Sequence, residues 1–174
     1  MKKNIEQVGK FVIETEAAAL LKLAFDLPKD FSGTIESILN TKGRVVVSGV
    51  GKSGHVGRKI AATLASTGTP ASFVHATEAS HGDLGMITPE DFCLLISNSG
   101  ETAELNDILA HTRRFGIVTA VISSSMDSTL MQAADLKLVL TDAPEACTIG
   151  MAPTTSTILT MALGDALAVS LMEQ

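Results

Sequence analysis

A chain of 174 residues with 45% hydrophobic and 18% charged residues can bury one full core, and it is too apolar for disorder. Its net charge of −6 at pH 7 argues against nucleic acid as a partner, and the best membrane candidate, 158–172, is interrupted by Gly164 and Asp165 and reads as too short to span a bilayer. Lys2 and Lys3 lead into polar, helix-forming sequence and not into the apolar core of a signal peptide, so a cytoplasmic location is expected.

In chain order, residues 3–26 carry Ile5, Val8, Val12, Ala19 and Leu23 at helical spacing and are followed by Pro28, which predicts a long amphipathic helix. Asp30 is placed to cap a second helix with Phe31, Ile35, Ile38 and Leu39 on its inner face and Gly43 as its stop. From Arg44 the pattern changes. Short apolar runs at 44–48, 71–75, 92–97, 117–122 and 136–140 predict five strands, with helices near 52–67, 103–115, 127–133 and 154–172. Strands alternating with helices imply a parallel sheet covered on both faces. The fold class expected is therefore α/β, a three-layer αβα sandwich in a single domain 1–174, with N-terminal helices in 1–43 and the α/β core with the C-terminal helix in 44–174. The last helix is apolar almost all round, so it is either central or packed on another subunit, and a homo-oligomer is expected. Cys93 and Cys147 form no CxxC and read as reduced, buried packing residues, and the spacing of the four histidines makes no metal site. His111, beside Arg113 and Arg114, reads as surface.

The stretch VVVSGVGKSGHVGRK, 45–59, has the order strand, glycine loop, helix, where phosphates bind. A Walker loop is excluded because Val46 stands where its first glycine must be. Gly49, Gly51 and Gly54 do satisfy GxGxxG, yet the second strand is followed by no acid placed to hold a ribose, Glu78 being several residues on. A second loop, ISNSGETAEL at 96–105, gathers Ser97, Ser99 and Thr102 around Gly100 ahead of a helix. Such hydroxyls with helix N-terminal amides cradle a phosphate without net positive charge, although one of them alone would serve as an ordinary cap. In a doubly wound sheet of order 2-1-3-4-5 the loops after strands one and three flank the switch-point crevice and face each other.

The segments GKSGHVGRKIAAT, ASTGTP, EASHGDLG, SNSGE, EAC and APTTST together resemble the sugar isomerase (SIS) domain, and within it the arabinose-5-phosphate isomerases, over about residues 40–172. The resemblance implies interconversion of ribulose 5-phosphate and arabinose 5-phosphate through a cis-enediol, in the supply of KDO for lipopolysaccharide, by a homotetramer that uses no cofactor and no metal. By resemblance the catalytic positions are Lys52, His81, Glu104 and Glu145, with Glu104 carrying the proton between carbons. Gly51 and Ser53 in the first loop, with Ser97, Ser99 and Thr102 in the second, are the candidate phosphate-binding residues. Each has a plainer reading. Glu104 suits any helix N-terminus, Lys52 could be solvated, His81 could be structural although Asp83 two residues on is expected to orient its imidazole for proton shuttling, and Glu145 could pair with Lys52 as a structural partner. Many family members continue into a segment with an HPGG-type histidine and then CBS modules, and this sequence ends at Gln174 before either. The alternatives retained are a non-catalytic sugar-phosphate sensor and an isomerase of another sugar phosphate, such as a hexulose 6-phosphate.

Overall fold

The computed structural model describes residues 4–147, 149, 150 and 152–174. The elements run α1 (Ile5–Phe25), α2 (Phe31–Leu39), β1 (Val45–Gly49), α3 (Gly51–Ser66), β2 (Ala71–Phe73), α4 (Ala76–Ser80), β3 (Phe92–Ile96), α5 (Asn106–Phe115), β4 (Thr119–Ser123), α6 (Thr129–Ala133), β5 (Leu136–Val139) and α7 (Thr155–Met172). Short 3-10 turns at Asp83–Met86 and Ala103–Leu105 precede β3 and α5. The five strands form one all-parallel sheet of order β2-β1-β3-β4-β5, the expected topology.

The central strands are buried at every position because helices cover both faces, which is why VVVSG, FCLLI and TAVIS are continuous apolar runs without alternation. Val45, Val47, Leu94 and Ile122 face a layer of α1, α2, α3 and α7, with Ile60, Leu64, Leu163 and Leu167 opposite them. Val46, Cys93, Leu95 and Val121 face α4, α5 and α6 through Leu105, Ile108, Leu130 and Met131. Each fully buried Leu or Ile contributes roughly 2 kcal/mol, so the two layers together fix the sheet. Cys93 lies wholly in this packing, and burial, helped by the charge of Asp91, pushes its thiol up to about 12. Cys147, expected to be buried, is only half-buried.

Several local expectations are corrected. Asp30 makes no side-chain cap; its carboxylate accepts the Lys137 amide at 2.8 Å and ties the start of α2 to β5. Nor does Gly43 stop α2, which ends at Leu39. A Cβ at Gly43 would run into Asp91 Oδ1 and would meet Glu90 O at 2.7 Å, so glycine is required there by close passage of the chain before β3. Strand β4 begins two residues late because Gly116, with φ +66, closes α5 and the Ile117 amide returns to Thr112 O. α4 is a turn of helix additional to the predicted elements; His75 Nδ1 accepts the Thr77 amide at its start. His111, expected at the surface, is half-buried with Nε2 3.1 Å from Ile87 O, which latches the segment before β3 onto α5. In α1 only Ala19 and Leu23 are buried, while Ile5 is 88% exposed.

α7 has the length and composition to cross a membrane, contrary to the expectation that it is too short, and half of it is buried against the rest of the chain. It lies on α3, α1 and α2, and a Cβ at Gly164 would run into the Ile60 side chain. One side of α7 is therefore covered by the chain itself, while Val169 and Met172 on it are about half exposed.

Candidate active site

β1 and β3 are neighbours in register, with Gly49 beside Ile96, so the loops that leave them start level at the carboxyl end of the sheet. This is the switch point of the topology. The glycines of the first loop have separate reasons. A Cβ on Gly54 would lie 2.9 Å from Gly49 O, and one on Gly49 would lie 3.1 Å from Ile96 O and 3.2 Å from the Ser53 backbone. Helix and strand thus touch backbone to backbone. Gly51 has open space around its Cβ position but a φ of +58, so conformation selects glycine there. The GxGxxG spacing is accounted for by strand-to-helix packing. Behind it, α3 opens with Gly51, exposed Lys52 and half-buried Ser53, whose amides have no carbonyl one turn earlier to bond.

The second loop is braced by the same hydroxyls that the sequence marks as its ligands. Ser97 is buried, and its Oγ accepts the Gly100 amide at 3.0 Å and lies 2.7 Å from Thr102 Oγ1. Ser99 Oγ, which is exposed, accepts the Glu101 amide at 3.2 Å. The chain then enters the 3-10 turn that carries Glu104, exposed, with Leu105 wholly buried beneath it as anchor. α4 packs against this turn and against α5, so His81, exposed at the C-terminal end of α4, and Glu104 sit on touching elements. Among the described residues no hydrogen bond joins Asp83 to His81, so Asp83 does not orient this imidazole as expected.

Glu145 takes a different place from the other candidates. Its Oε2 accepts the Thr154 amide at 2.6 Å, the Thr154 hydroxyl at 2.9 Å and the Ser156 amide at 3.4 Å, at the N-terminus of α7. Burial pushes this carboxyl up, but the hydrogen bonds from Ser156 and Thr154 outweigh it and hold the group below the usual carboxylate range. Among the described residues the ion pairs are Lys10–Glu14 and Lys59–Asp165, so Glu145 is not the partner of Lys52. α3 and α7 both run back from the carboxyl end of the sheet and are therefore parallel. With Lys59 paired to Asp165 and Ile60 against Gly164, their first turns lie nearly level. Two helix N-termini thus open toward one edge, one of them already satisfied by Glu145.

The wall behind the second loop is not among the groups the sequence singles out. After β4 the hydroxyl-rich run 123–128 bonds the loop directly: the Ser123 hydroxyl and the Ser124 amide donate to Asn98 O, both at 3.0 Å, and the Ser124 hydroxyl donates to Asn98 Oδ1 at 2.6 Å. Three serines in succession after a strand at the carboxyl edge were the available signal. The open cavity of about 590 Å³ lined by Glu36, Asn40, Lys42 and Glu90 lies at the opposite, amino edge of the sheet, away from all of these groups.

The chain is similar to known proteins in sequence and in fold. The sequence model of the SIS domain matches residues 38–170. The Arabinose 5-phosphate isomerase KdsD of Yersinia pestis is 51% identical over 170 residues, 98% of this chain and 52% of that protein. The protein of the same name from Escherichia coli K12 is 46% identical with the same coverage. The chain thus spans about half the length of the curated relatives it matches. Among solved structures, that of E. coli CFT073 c3406 in complex with arabinose 5-phosphate superposes with a TM-score of 0.94 at 39% identity, covering 99% of this chain and 93% of the other.

Proposed function

The chain belongs to the SIS domain family, and from that premise we propose that it is an aldose–ketose isomerase interconverting D-ribulose 5-phosphate and D-arabinose 5-phosphate. The observation that carries this reading is the meeting of two phosphate-type loops at the switch point, with a lysine on one and a carboxylate just beyond the other. The resemblance to proteins named arabinose 5-phosphate isomerase over nearly the whole chain supports the choice of sugar.

In this reading the phosphate rests on the amides of Gly51 and Ser53 and on the 97–102 loop, where Ser99 and Thr102 offer hydroxyls and Ser97 holds the loop's shape. The open-chain sugar then lies across the crevice toward Glu104. In the aldose-to-ketose direction Glu104 takes the proton from C2, the C–H electron pair becomes the C1–C2 double bond, and the C1 oxygen gains a proton to give the cis-enediol. The carboxyl returns a proton to C1 while the C2 oxygen loses its own, leaving the ketone. Lys52 stabilises the enediolate oxygen and His81 moves protons between the oxygens. Glu145 serves by fixing the first turn of α7 beside that of α3. The enzyme works in the cytoplasm as a homotetramer and supplies the KDO branch of lipopolysaccharide synthesis, with no cofactor or metal.

The test is proton NMR of the protein with ribulose 5-phosphate in D2O, with the Glu104→Gln variant beside it. Wild type forms arabinose 5-phosphate with deuterium at the shifting carbon, and Glu104→Gln loses about 10²- to 10⁴-fold in turnover while still binding the sugar. Binding without turnover by wild type would leave a sugar-phosphate sensor as the reading. Turnover of a hexulose 6-phosphate in preference would reassign the substrate.

A further inference from the structure

A carboxylate in the middle of a phosphate cradle is an electrostatic liability, and this chain has one. Glu101 stands between Ser99 and Thr102, where it would repel a phosphate dianion a few ångströms away. The structure turns its side chain outward: Oε1 accepts the Thr129 amide at 2.7 Å, in the first turn of α6. The Thr129 backbone and then its side chain draw the carboxyl below its ordinary range, against a small opposing effect of burial. Beside this bond the Leu130 amide donates to Gly100 O at 3.1 Å. Gly100 itself has a φ of +70 and no room for a side chain, since a Cβ would run into Ser128 Oγ. Ser128 Oγ in turn donates to Ser125 O at 2.7 Å.

We propose that Glu101 is a positioning residue for the phosphate cradle, which fixes the 97–102 loop by clamping it to the start of α6, after the neighbouring strand β4, and spends its own charge on the α6 amide. It touches no substrate. The clamp complements the Asn98 bonds to Ser123 and Ser124, so that both ends of the loop are held from β4. An exposed side chain forming one bond contributes little to global stability, but the loop's amides and hydroxyls bind phosphate only when all point inward together. The consequence falls on phosphate affinity and not on the proton transfer at Glu104. This inference rests on the isomerase reading for its substrate.

Thr129 supplies an unusually clean partner variant. It is the first residue of α6, where proline is well accepted, and Ser128 before it is already extended at φ −70 and ψ 157, as a residue preceding proline prefers. Thr129→Pro therefore deletes the donor with little cost to the helix. Calorimetric titration with inorganic phosphate and with arabinose 5-phosphate, steady-state kinetics and thermal melting are compared for wild type, Glu101→Ala, Glu101→Gln, Thr129→Pro and the double variant Glu101→Ala with Thr129→Pro. Glu101→Ala and Thr129→Pro each weaken phosphate and raise KM about tenfold with kcat little changed and melting close to wild type, and the double variant is no worse than either alone. Glu101→Gln, which keeps an acceptor oxygen and drops the charge, binds phosphate at least as well as wild type. Unchanged phosphate affinity in Glu101→Ala, additive losses in the double variant, or failure of Glu101→Gln to rescue would each overturn the proposal. A wild type that binds phosphate without turnover would instead overturn the isomerase reading, and the phosphate titrations still decide the role of Glu101.

Discussion

Glu145 shows how an acidic side chain among the candidate site residues can act through the fold. Three donors at the start of α7 converge on one carboxylate oxygen, and they hold the group ionised to lower pH than in the unfolded chain. Because the folded group titrates lower, its stabilisation is fully present above the ordinary carboxylate value of 4.5 and is lost as pH falls through the lowered one. Glu145→Ala is expected to cost about 1 kcal/mol at pH 7, the usual worth of a helix cap. Urea denaturation of both proteins at pH 7 and below pH 4 should show this difference shrinking in acid. A difference that stays constant with pH would assign the loss to packing instead. His111 follows the same pattern of a polar group used within the chain, its ring latching Ile87 while its neighbours Arg113 and Arg114 are exposed.

At the scale of elements, the contact between α3 and α7 governs how the two helix N-termini meet. Gly164 sits against Ile60 with no space for a methyl group. Alanine there gains about 1 kcal/mol of helix propensity over glycine, but overpacking against a β-branched core residue costs about 1–3 kcal/mol. Gly164→Ala should therefore lower stability in the wild-type chain and raise it in an Ile60→Ala background, where the added methyl enters the space left behind. Denaturant midpoints of the four proteins measure this reversal of sign. The same helix illustrates why apolarity on all sides is ambiguous in a sequence: a core helix and a spanning one have the same composition, and only the contacts with α1, α2 and α3 show which half of this one is covered.

The whole molecule leaves α1 standing partly clear of the α/β body, with Phe25 94%, Ile5 88% and Leu21 73% exposed. Such side chains cost hydrophobic free energy unless another surface covers them. Sedimentation of the wild type is expected to give four times the chain mass, and Phe25→Glu with Leu21→Glu should shift it to smaller species without loss of the monomer fold. Strand number, parallel order and the two loops were legible because they depend on local signals: β-branched runs buried on both faces, glycine between strand and helix, hydroxyls ahead of a helix. The resemblance names Lys52, His81 and Glu104 as the groups to look for; α4, which ends at His81, packs on the turn that carries Glu104, and Lys52 stands in the first turn of α3 after β1. Partnerships across long sequence separations were not legible. Glu101 with Thr129, Glu145 with Thr154, Asp30 with Lys137 and Gly43 with Asp91 are chosen by where the sheet order brings segments together. A hydrogen bond or a close approach is a property of a pair of positions in space, and no periodicity along the chain encodes it.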